Sequence, residues 1–359
     1  MESELFIECK GLSVGYRERS VAAMVVKNNI SVRGMGGEMV ALIGGNGIGK
    51  STLLKTIAGF QPALSGELLV RGRSMTDFGA QELARELSFV STEIVRVANL
   101  TVREMVGLGR FPYTNWFGQL TRNDQDIVEK AIAQVGLSGY ENRFVSRISD
   151  GERQRAMIAR ALAQDTPIMI LDEPTAFLDI SNKYEIVRIL HQLAADHGKC
   201  ILFSTHDLST ALHMADRIWL MLNDQVVEGI PEELADKGYF DSLFQKNPHL
   251  YFDADNGDFR IRKENMGVIT LSATGAELKL ATKALERLGF DVNASSPRPL
   301  VPSSPSPSVP QSPSPSVPQS DIRVVQRVNG WTLSYPGCSS AIETLEDLCR
   351  EVKKIRPQP

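Results

Sequence analysis

The sequence predicts an α/β protein, because short apolar strands alternate with helical patterns over the first two-thirds of its 359 residues. Three strands are read from the segments EMVALIGG (Glu38–Gly45), PIMILDEP (Pro167–Pro174) and KCILFSTHD (Lys199–Asp207). Continuous apolar runs of this kind are typical of parallel strands that are covered on both faces. The amphipathic helix NKYEIVRILHQLAADHG (Asn182–Gly198) lies between the last two strands and completes a strand–helix–strand unit.

Composition excludes several classes of protein. The chain is 42% hydrophobic and 23% charged, with a net charge of -4, which is typical of a globular protein and gives no basic footprint for nucleic acid. No apolar run reaches the roughly 18 residues that a membrane span requires. The first ten residues, MESELFIECK, are acidic where a signal peptide is basic, which argues against export. The four cysteines are scattered, so we expect reduced thiols and neither disulfides nor a zinc site.

A phosphate-binding loop is predicted directly after the first strand. The segment GGNGIGKS (Gly44–Ser51) matches G-x-x-x-x-G-K-[ST], and the helix STLLKTIAGF (Ser51–Phe60) follows it. Glycines let backbone N–H groups approach a phosphate, and the helix N-terminus adds partial positive charge. Lys50 can reach the β- and γ-phosphates, and the Ser51 hydroxyl can bind Mg²⁺. A glycine-rich turn without a ligand is the alternative, and the strand–loop–helix context argues against it.

Two acidic residues end the second strand. Asp172 and Glu173 lie at its carboxyl end, where α/β sheets bind ligands. Asp172 can hold Mg²⁺, and Glu173 can orient or deprotonate an attacking water. Without the phosphate loop, the same pair would be only a polar strand end.

A helical subdomain interrupts the α/β core. The pattern between Phe78 and Phe144 is mostly helical and includes the aromatic-rich segment GRFPYTNWFGQL (Gly109–Leu120). We therefore predict a first domain over residues 1–250, with a helical subdomain at about residues 79–165.

The remainder, residues 251–359, is predicted to be a small α+β domain. Gly267–Ala294 has a strand–helix–strand pattern, Ile322–Pro336 has a hairpin pattern, and Ser340–Ile355 has a helical pattern. Residues 297–320 form a Pro/Ser-rich loop that contains the same eight-residue unit twice. Such a composition cannot form a packed core. A regulatory ligand site, a dimer contact and a passive stabilising appendage all remain open as roles for this domain.

With these motifs, roughly residues 3–250 resemble the ATP-binding subunit of ABC transporters. The segment ISDGE (Ile148–Glu152) stands where that family has its LSGGQ-type signature. The resemblance implies a P-loop NTPase core of ABC type with an inserted helical subdomain. It also implies a head-to-tail homodimer, in which Ser149 and Gly151 of one subunit cover the γ-phosphate bound by the other. A helix N-terminus suits an anion, although a serine cap without any ligand would explain the segment taken alone.

The resemblance assigns further site residues. Tyr16 in LSVGY stands where an aromatic residue stacks on adenine, Asp179 where a loop crosses the dimer interface, and His206 where a switch histidine contacts the γ-phosphate. Packing alone would also explain an exposed tyrosine, and a lone histidine is usually structural. The implied nucleotide-binding residues are Tyr16, Gly44, Asn46, Gly47, Gly49, Lys50, Ser51, Thr52, Ser149, Gly151 and Asp179. The implied catalytic residues are Glu173, His206 and Lys50, and the implied Mg²⁺ ligands are Ser51, Asp172 and Thr92.

Two positions depart from the family pattern. Asp150 replaces the first of the paired glycines in the signature, where a carboxylate would repel phosphate unless it points away and caps the helix. Thr92 stands where the family has a glutamine that contacts Mg²⁺ and water and senses the membrane partner. A threonine is too short for both tasks, which leaves Glu93 or a water as substitutes.

The separation and number of the motifs, together with the helical segment, narrow the class of ABC protein. Ser149 lies 99 residues after Lys50, too close for the long coiled coils of chromosome and repair ATPases, and the single phosphate loop excludes tandem translation factors. The segment Leu100–Leu137, with its GR-x-P motif, is similar to the helical subdomain of importers for iron-siderophores, haem and cobalamin. The resemblance then implies an ATP- and Mg²⁺-dependent importer ATPase on the cytoplasmic face of the inner membrane. Its partners would be integral-membrane permease subunits and, indirectly, a substrate-binding protein.

A soluble regulatory ABC protein, which uses ATP-driven dimerisation as a switch, is the alternative. The importer-like helical segment has no role in such a protein, so it favours the importer ATPase.

Overall fold

The computed structural model forms two compact units, Met1–Arg260 and Ile261–Pro359. The boundary falls ten residues later than residue 250, where the sequence predicts it. The reason is that Phe252 and Phe259 pack on Phe240 in the core of the first unit. The structure describes residues 4–17, 23–91, 99–115, 117–176, 178–244, 249–253, 258–261, 266–295, 322–327, 330–335 and 338–355.

The described part of the first unit combines a six-stranded sheet, a four-stranded sheet and a two-stranded β11-β12 sheet with helices. Its strands are β1 (Leu5–Tyr16), β2 (Met24–Met35), β3 (Met39–Gly44), β4 (Ser65–Val70), β5 (Arg73–Ser74), β6 (Leu87–Val90), β7 (Ile168–Leu171), β8 (Cys200–Thr205), β9 (Arg217–Met221), β10 (Val226–Gly229), β11 (Leu250–Asp253) and β12 (Asp258–Ile261). Its helices are α1 (Lys50–Ile57), α2 (Ala80–Glu86), α3 (Val102–Gly107), α4 (Arg122–Gln134), α5 (Asp150–Ala163), α6 (Ile180–His197), α7 (Leu208–Met214) and α8 (Pro231–Asp236).

The central sheet has the order β10-β9-β3-β8-β7-β6. Its strands are parallel except β10, which forms an antiparallel hairpin with β9. All six residues of β8 and all four residues of β7 are buried, as expected for strands covered on both faces. This sheet confirms the predicted α/β fold and places the ends of β3, β7 and β8 side by side.

A second, antiparallel sheet with the order β2-β1-β4-β5 covers one face of the central sheet. The two sheets enclose α1 in a common core that includes Leu12, Leu42, Leu54 and Trp219. The first unit is therefore layered, and the segment between β3 and α1, which contains the predicted phosphate loop, connects the central sheet to the helix between the two sheets.

The helical subdomain is built from α3, α4 and α5, whose apolar residues join the core on the other face of the central sheet. The sequence predicts helical structure from about residue 79, but β6 lies inside this range and pairs with β7 in the sheet. Its apolar residues complete the sheet edge, and tertiary packing therefore decides its conformation. The helical part accordingly starts at α3, which Thr101 and Glu104 begin with a reciprocal capping box.

The GR-x-P segment has a structural explanation in this subdomain. Arg110 is buried, donates from Nε to Asp124 Oδ1 at 2.8 Å and from a terminal nitrogen to Ala163 O at 2.9 Å, and stacks on Tyr113. Hydrogen bonds from Thr121 are the main cause that lowers the pKa of Asp124, and Arg110 adds to the shift. A side chain at Gly109 would collide with the carbonyl of Arg160. This cluster ties the end of α3 to both α4 and α5.

The second unit is a five-stranded sheet with two helices. Its elements are β13 (Val268–Ser272), α9 (Gly275–Arg287), β14 (Asp291–Ser295), β15 (Ile322–Arg327), β16 (Gly330–Tyr335), β17 (Cys338–Ile342) and α10 (Leu345–Val352). The strand order is β14-β13-β15-β16-β17, with its own apolar core that includes Leu271, Leu285, Trp331 and Leu348.

In the second unit, one predicted helix begins later than the sequence indicates, and the predicted Pro/Ser-rich loop lies outside the described residues. The helix predicted over Ser340–Ile355 starts only at Leu345, because Cys338–Ile342 pairs with β16 and Thr344 caps the helix. The Pro/Ser-rich loop over residues 297–320 lies outside the described residues, between β14 and β15. In neither unit does a described helix have the length and apolar character to cross a membrane.

Candidate functional site

The phosphate loop connects the end of β3 to the start of α1. Gly47 and Gly49 have positive φ values of 74° and 111°, which only glycine adopts without strain. A Cβ at Gly49 would lie 2.5 Å from a methyl carbon of Val26, so β2 leaves no room for a side chain there. Left-handed residues directly before a helix N-terminus are typical of loops that bind phosphate through backbone N–H groups. Asn46 and Ser51 are exposed at this loop.

Lys50 projects into the concave side of the loop. Its Nζ donates hydrogen bonds to Gly44 O at 2.8 Å and to Gly45 O at 3.3 Å, and only 7% of the residue is exposed. Burial lowers the pKa of Lys50, and the nearby carboxylates of Glu173 and Asp172 oppose this shift. The lysine therefore lies between the phosphate loop and the acidic pair that the sequence predicts.

Tyr16 lies beside the same loop. It ends β1, is 51% exposed, and its hydroxyl is 3.0 Å from the Thr52 hydroxyl in the first turn of α1. The structure thus brings the predicted adenine-stacking residue next to the predicted phosphate-binding residues.

Asp172 and Glu173 share one buried serine. Ser204 Oγ accepts a hydrogen bond from the Glu173 backbone N–H at 2.8 Å and donates one to Asp172 Oδ1 at 2.7 Å. Ser204 is fully buried in β8, and the sequence analysis missed it. Its only signal was the polar residue within the otherwise apolar β8 run, two positions before His206.

Glu173 is held in an unusual backbone conformation next to His206. Its φ is 46°, which is uncommon for a residue with a side chain and is often found at functional sites. Its Oε2 lies 3.6 Å from His206 Nδ1. The ends of β7 and β8 thus bring the two predicted catalytic side chains into contact, and the His206 side chain is largely exposed.

The signature segment begins α5 with a reciprocal capping box. Ser149 Oγ accepts the Glu152 N–H at 3.2 Å, and Glu152 Oε2 accepts the Ser149 N–H at 2.7 Å. Asp150 does not cap the helix; its Oδ1 is 2.5 Å from Arg153, which also donates to the carbonyls of Val145 and Ile148. An internal cation therefore compensates the carboxylate that replaces glycine.

Within one chain, the described residues include no hydrogen bond or ion pair that joins Ser149 or Gly151 to the phosphate loop. Asp179 is likewise exposed, and it caps α6 by accepting the Asn182 N–H at 2.8 Å. One subunit thus brings together most of the predicted nucleotide residues, but these three make no described hydrogen bond or ion pair to its phosphate loop.

The predicted Mg²⁺ ligands lie partly beyond the structure. Thr92, and its possible substitute Glu93, are outside the described residues. Elsewhere in the described chain there is no group of three acidic, histidine or cysteine side chains that could hold a metal by itself. Mg²⁺ in phosphate-binding sites usually takes one or two protein ligands together with phosphate oxygens and water. The exposed Ser51 and the carboxylate of Asp172 fit that requirement.

Comparison with known sequences shows which family this chain is similar to. A sequence profile described as ABC transporter matches residues 27–176. An uncharacterized ABC transporter ATP-binding protein of Methanocaldococcus jannaschii is 37% identical, over 76% of this chain and 94% of that protein. A petrobactin import ATP-binding protein of Bacillus anthracis is 36% identical, over 60% of this chain and 80% of its own length. The ferric enterobactin transport ATP-binding protein of Escherichia coli is 32% identical, over 65% and 84%.

Solved structures give the same result. A dimeric ATP-binding cassette in a post-hydrolysis state with ADP and Pi is 26% identical, has a TM-score of 0.55, and matches 63% of this chain and 98% of its own. The ATP-binding subunit of an ABC transporter is 27% identical, has a TM-score of 0.57, and matches 67% and 98%. Both likenesses are confined to about two-thirds of this chain, a share close to that of its first unit.

Proposed function

The chain belongs to the ABC transporter family as an ATP-binding protein, and we propose on that basis that it powers the import of an iron-siderophore complex. The importer would consist of two copies of this ATPase at the cytoplasmic face of the membrane, a permease made of other chains, and a substrate-binding protein that delivers the cargo. The observation that carries the proposal is the convergence of the phosphate loop, Lys50, and the Asp172–Ser204–Glu173 arrangement at adjacent strand ends.

Nucleotide binding would use the loop from Gly44 to Thr52. Its backbone N–H groups and the α1 N-terminus surround the phosphates, and Lys50 exchanges its carbonyl acceptors for the β- and γ-phosphates. Tyr16 stacks on adenine, an arrangement that its exposure and its contact with Thr52 permit. The low exposure of Lys50 strengthens its attraction to phosphate, because the surrounding dielectric constant is lower than in water.

Mg²⁺ would be held by Ser51 and Asp172 together with the nucleotide. Its chemical contribution is to neutralise the charge on the β- and γ-phosphate oxygens. The protein's contribution is positional: Ser204 holds one Asp172 oxygen, which fixes the orientation of the carboxylate.

Glu173 and His206 would carry out ATP hydrolysis. Glu173 accepts the proton of the attacking water through its carboxylate, and His206 holds that side chain and contacts the γ-phosphate. The Ser204 bond to the Glu173 backbone keeps the strained turn in place, so the carboxylate is pre-positioned before nucleotide arrives.

The signature would act on the nucleotide of the other subunit. Ser149, Gly151 and Asp179 make no described hydrogen bond to the phosphate loop of their own chain, and a head-to-tail dimer would place them against the partner's γ-phosphate. The dimeric cassette with ADP and Pi, to which this fold is similar, supports the assembly. The siderophore cargo is supported by relatives whose names specify petrobactin and ferric enterobactin.

The test uses Glu173→Gln, which keeps the size and shape of the side chain but removes its basicity. Because glutamine matches glutamate in size but replaces one acceptor oxygen by an NH2 donor, we expect ATP binding to persist, turnover to fall below about one-hundredth of wild type, and an ATP-bound dimer to accumulate in size-exclusion chromatography. Glu232→Gln, at an exposed acidic position on α8 outside the nucleotide site, is the control for the loss of one negative charge. Rapid turnover by the Glu173 variant would refute the assignment.

The transport proposal has its own test. The ATPase is purified from membranes with its associated permease, the complex is placed in lipid vesicles, and uptake of radioactive iron bound to siderophore is measured. Uptake that requires ATP and is absent with Glu173→Gln supports the importer. Purification without any membrane partner, together with ATPase stimulation by a soluble protein, would favour the regulatory alternative.

A further inference from the structure

The first turn of α6 packs directly on the signature turn at the start of α5. We propose that Asn182 is a positioning residue that sets the Gly151 turn of its own subunit for the partner's nucleotide. This inference rests on the proposed function, in which Gly151 faces that nucleotide. Asn182 contacts the signature turn at Gly151 and is hydrogen-bonded to Asp179, the N-cap residue of α6.

The contact is closer than any side chain at residue 151 would permit. A Cβ built on Gly151 would lie 2.8 Å from Asn182 Cγ, 2.8 Å from its Oδ1 and 3.0 Å from its Nδ2. Real Cβ atoms do not approach other atoms this closely, so the carboxamide occupies the volume that a side chain would need. Gly151 is buried, and a side chain at this position would force the Asn182 carboxamide to shift from its place beside Asp179.

Asn182 is itself held by Asp179, the N-cap residue of α6. Its backbone N–H donates to Asp179 Oδ1 at 2.8 Å, and its Nδ2 donates to Asp179 Oδ2 at 2.8 Å. Because an ionised carboxylate only accepts hydrogen bonds, this pairing fixes the amide with its nitrogen toward Asp179. The carboxamide is therefore locked at one end by Asp179 while its flat face supports Gly151.

A second contact keeps the two helices in register. Arg155 on α5 lies 2.5 Å from Glu185 on α6, one helical turn beyond the Asn182 contact. The Asn182–Gly151 contact and the Arg155–Glu185 ion pair together connect the first two turns of α6 and α5. Asn182 thus matters for closing the dimer on ATP, and its described hydrogen bonds go to Asp179 and not to the phosphate loop of its own subunit.

The first experiment is a double-mutant cycle on ATP turnover. Gly151→Ala pushes a methyl group into the carboxamide, and we expect turnover to fall at least about tenfold, as for other overpacked sites. Adding Asn182→Ala removes the obstacle, so the double variant should recover at least about threefold over Gly151→Ala alone. Ser181→Ala, an exposed neighbour in the same turn, is the control and should give no recovery. Losses that simply add in the double variant would overturn the proposal.

A second variant guards against a loss of folding. Asn182→Asp has the same shape but places a carboxylate against Asp179, which should displace the turn by repulsion. We expect ATP binding to the monomer within about twofold of wild type, with turnover and ATP-dependent dimerisation reduced at least about fivefold. Equal weakening of binding and turnover, or unchanged turnover, would contradict a positioning role. If wild-type protein fails to hydrolyse ATP as a dimer, the proposed function fails; if it does and the cycle shows no coupling, only this inference fails.

Discussion

At the scale of single residues, the aspartate in the signature is accommodated by its neighbour. Asp150 is exposed, and Arg153 pairs with its carboxylate while donating to two carbonyls of the preceding turn. The negative charge at this turn is therefore compensated within the same helix. Sequence alone indicated the problem but could not identify Arg153 as the compensating cation, because many arginine rotamers are open to a helical residue.

Removing the Arg153 cation should lower ATP turnover, whereas removing the Asp150 carboxylate should leave turnover nearly unchanged. We predict that Arg153→Ala lowers ATP turnover about tenfold, because an unpaired carboxylate then repels phosphate and two carbonyls lose a charged donor. Asp150→Gly should keep turnover within about threefold of wild type. Steady-state ATPase assays decide the point, and an Arg153→Ala enzyme with normal turnover would contradict this account of the signature.

The cysteines should differ sharply in reactivity. Burial, with smaller effects from Glu228 and Glu8, raises the pKa of Cys9 to about 12, and burial also raises the pKa of Cys200. Both thiols therefore stay protonated and shielded at neutral pH, whereas Cys338 is exposed. We predict that iodoacetamide at pH 8 labels Cys338 in the native protein and spares Cys9 and Cys200, as peptide mass spectrometry will detect. Labelling of Cys200 without denaturant would contradict the burial of this strand.

At the scale of elements, some segments were predictable and others were not. The α/β core was predictable, because β3, β7 and β8 are continuous apolar runs whose ends carry the motifs. β6 was missed, since a four-residue strand next to a helix has no periodicity of its own and depends on pairing with β7. The last three residues of β17, 340–342, fall in the predicted helix for the same reason, as pairing with β16 competes with local helical propensity.

The candidate site divides in a similar way. Residues in contiguous motifs, such as the phosphate loop and the Asp172–Glu173 pair, could be located from sequence, and their chemical roles stay predictions. Ser204 and Asn182 could not be identified, because their importance arises from contacts between segments about 30 residues apart. Thr92 as a metal ligand also remains a prediction.

The helical subdomain should depend on one buried ion pair. Arg110 and Asp124 are each only 6% exposed at their side chains, and Asp124 also completes the capping box of α4. We predict that Asp124→Ala destabilises the protein by about 3–5 kcal/mol, because it leaves the Arg110 charge buried without its partner. Thermal unfolding followed by circular dichroism measures this loss. Asp126→Ala, at an exposed position on the same helix, should change stability by less than about 0.5 kcal/mol.

At the scale of the whole molecule, each unit has its own apolar core. A chain that ends at Arg260 retains the complete first unit, including every described residue of the candidate nucleotide site. We predict that this shortened chain folds and binds ATP with a Kd within about threefold of the full chain. Isothermal titration calorimetry gives the comparison. Loss of ATP binding would show that the second unit is required by the first.

The central claim, a dimeric ATPase with composite sites, is tested most directly by mixing two inactive variants. Lys50→Ala removes the point charge that binds the phosphates, and Ser149→Arg blocks the signature turn. In a mixed dimer, one site carries both defects, whereas the other combines an intact phosphate loop with an intact signature. We predict that ATPase activity reappears on mixing, at up to about a quarter of the wild-type rate if subunits pair at random and sites act independently. Activity that stays at the level of the separate variants, or wild-type turnover that is monomeric and insensitive to dilution, would contradict the account.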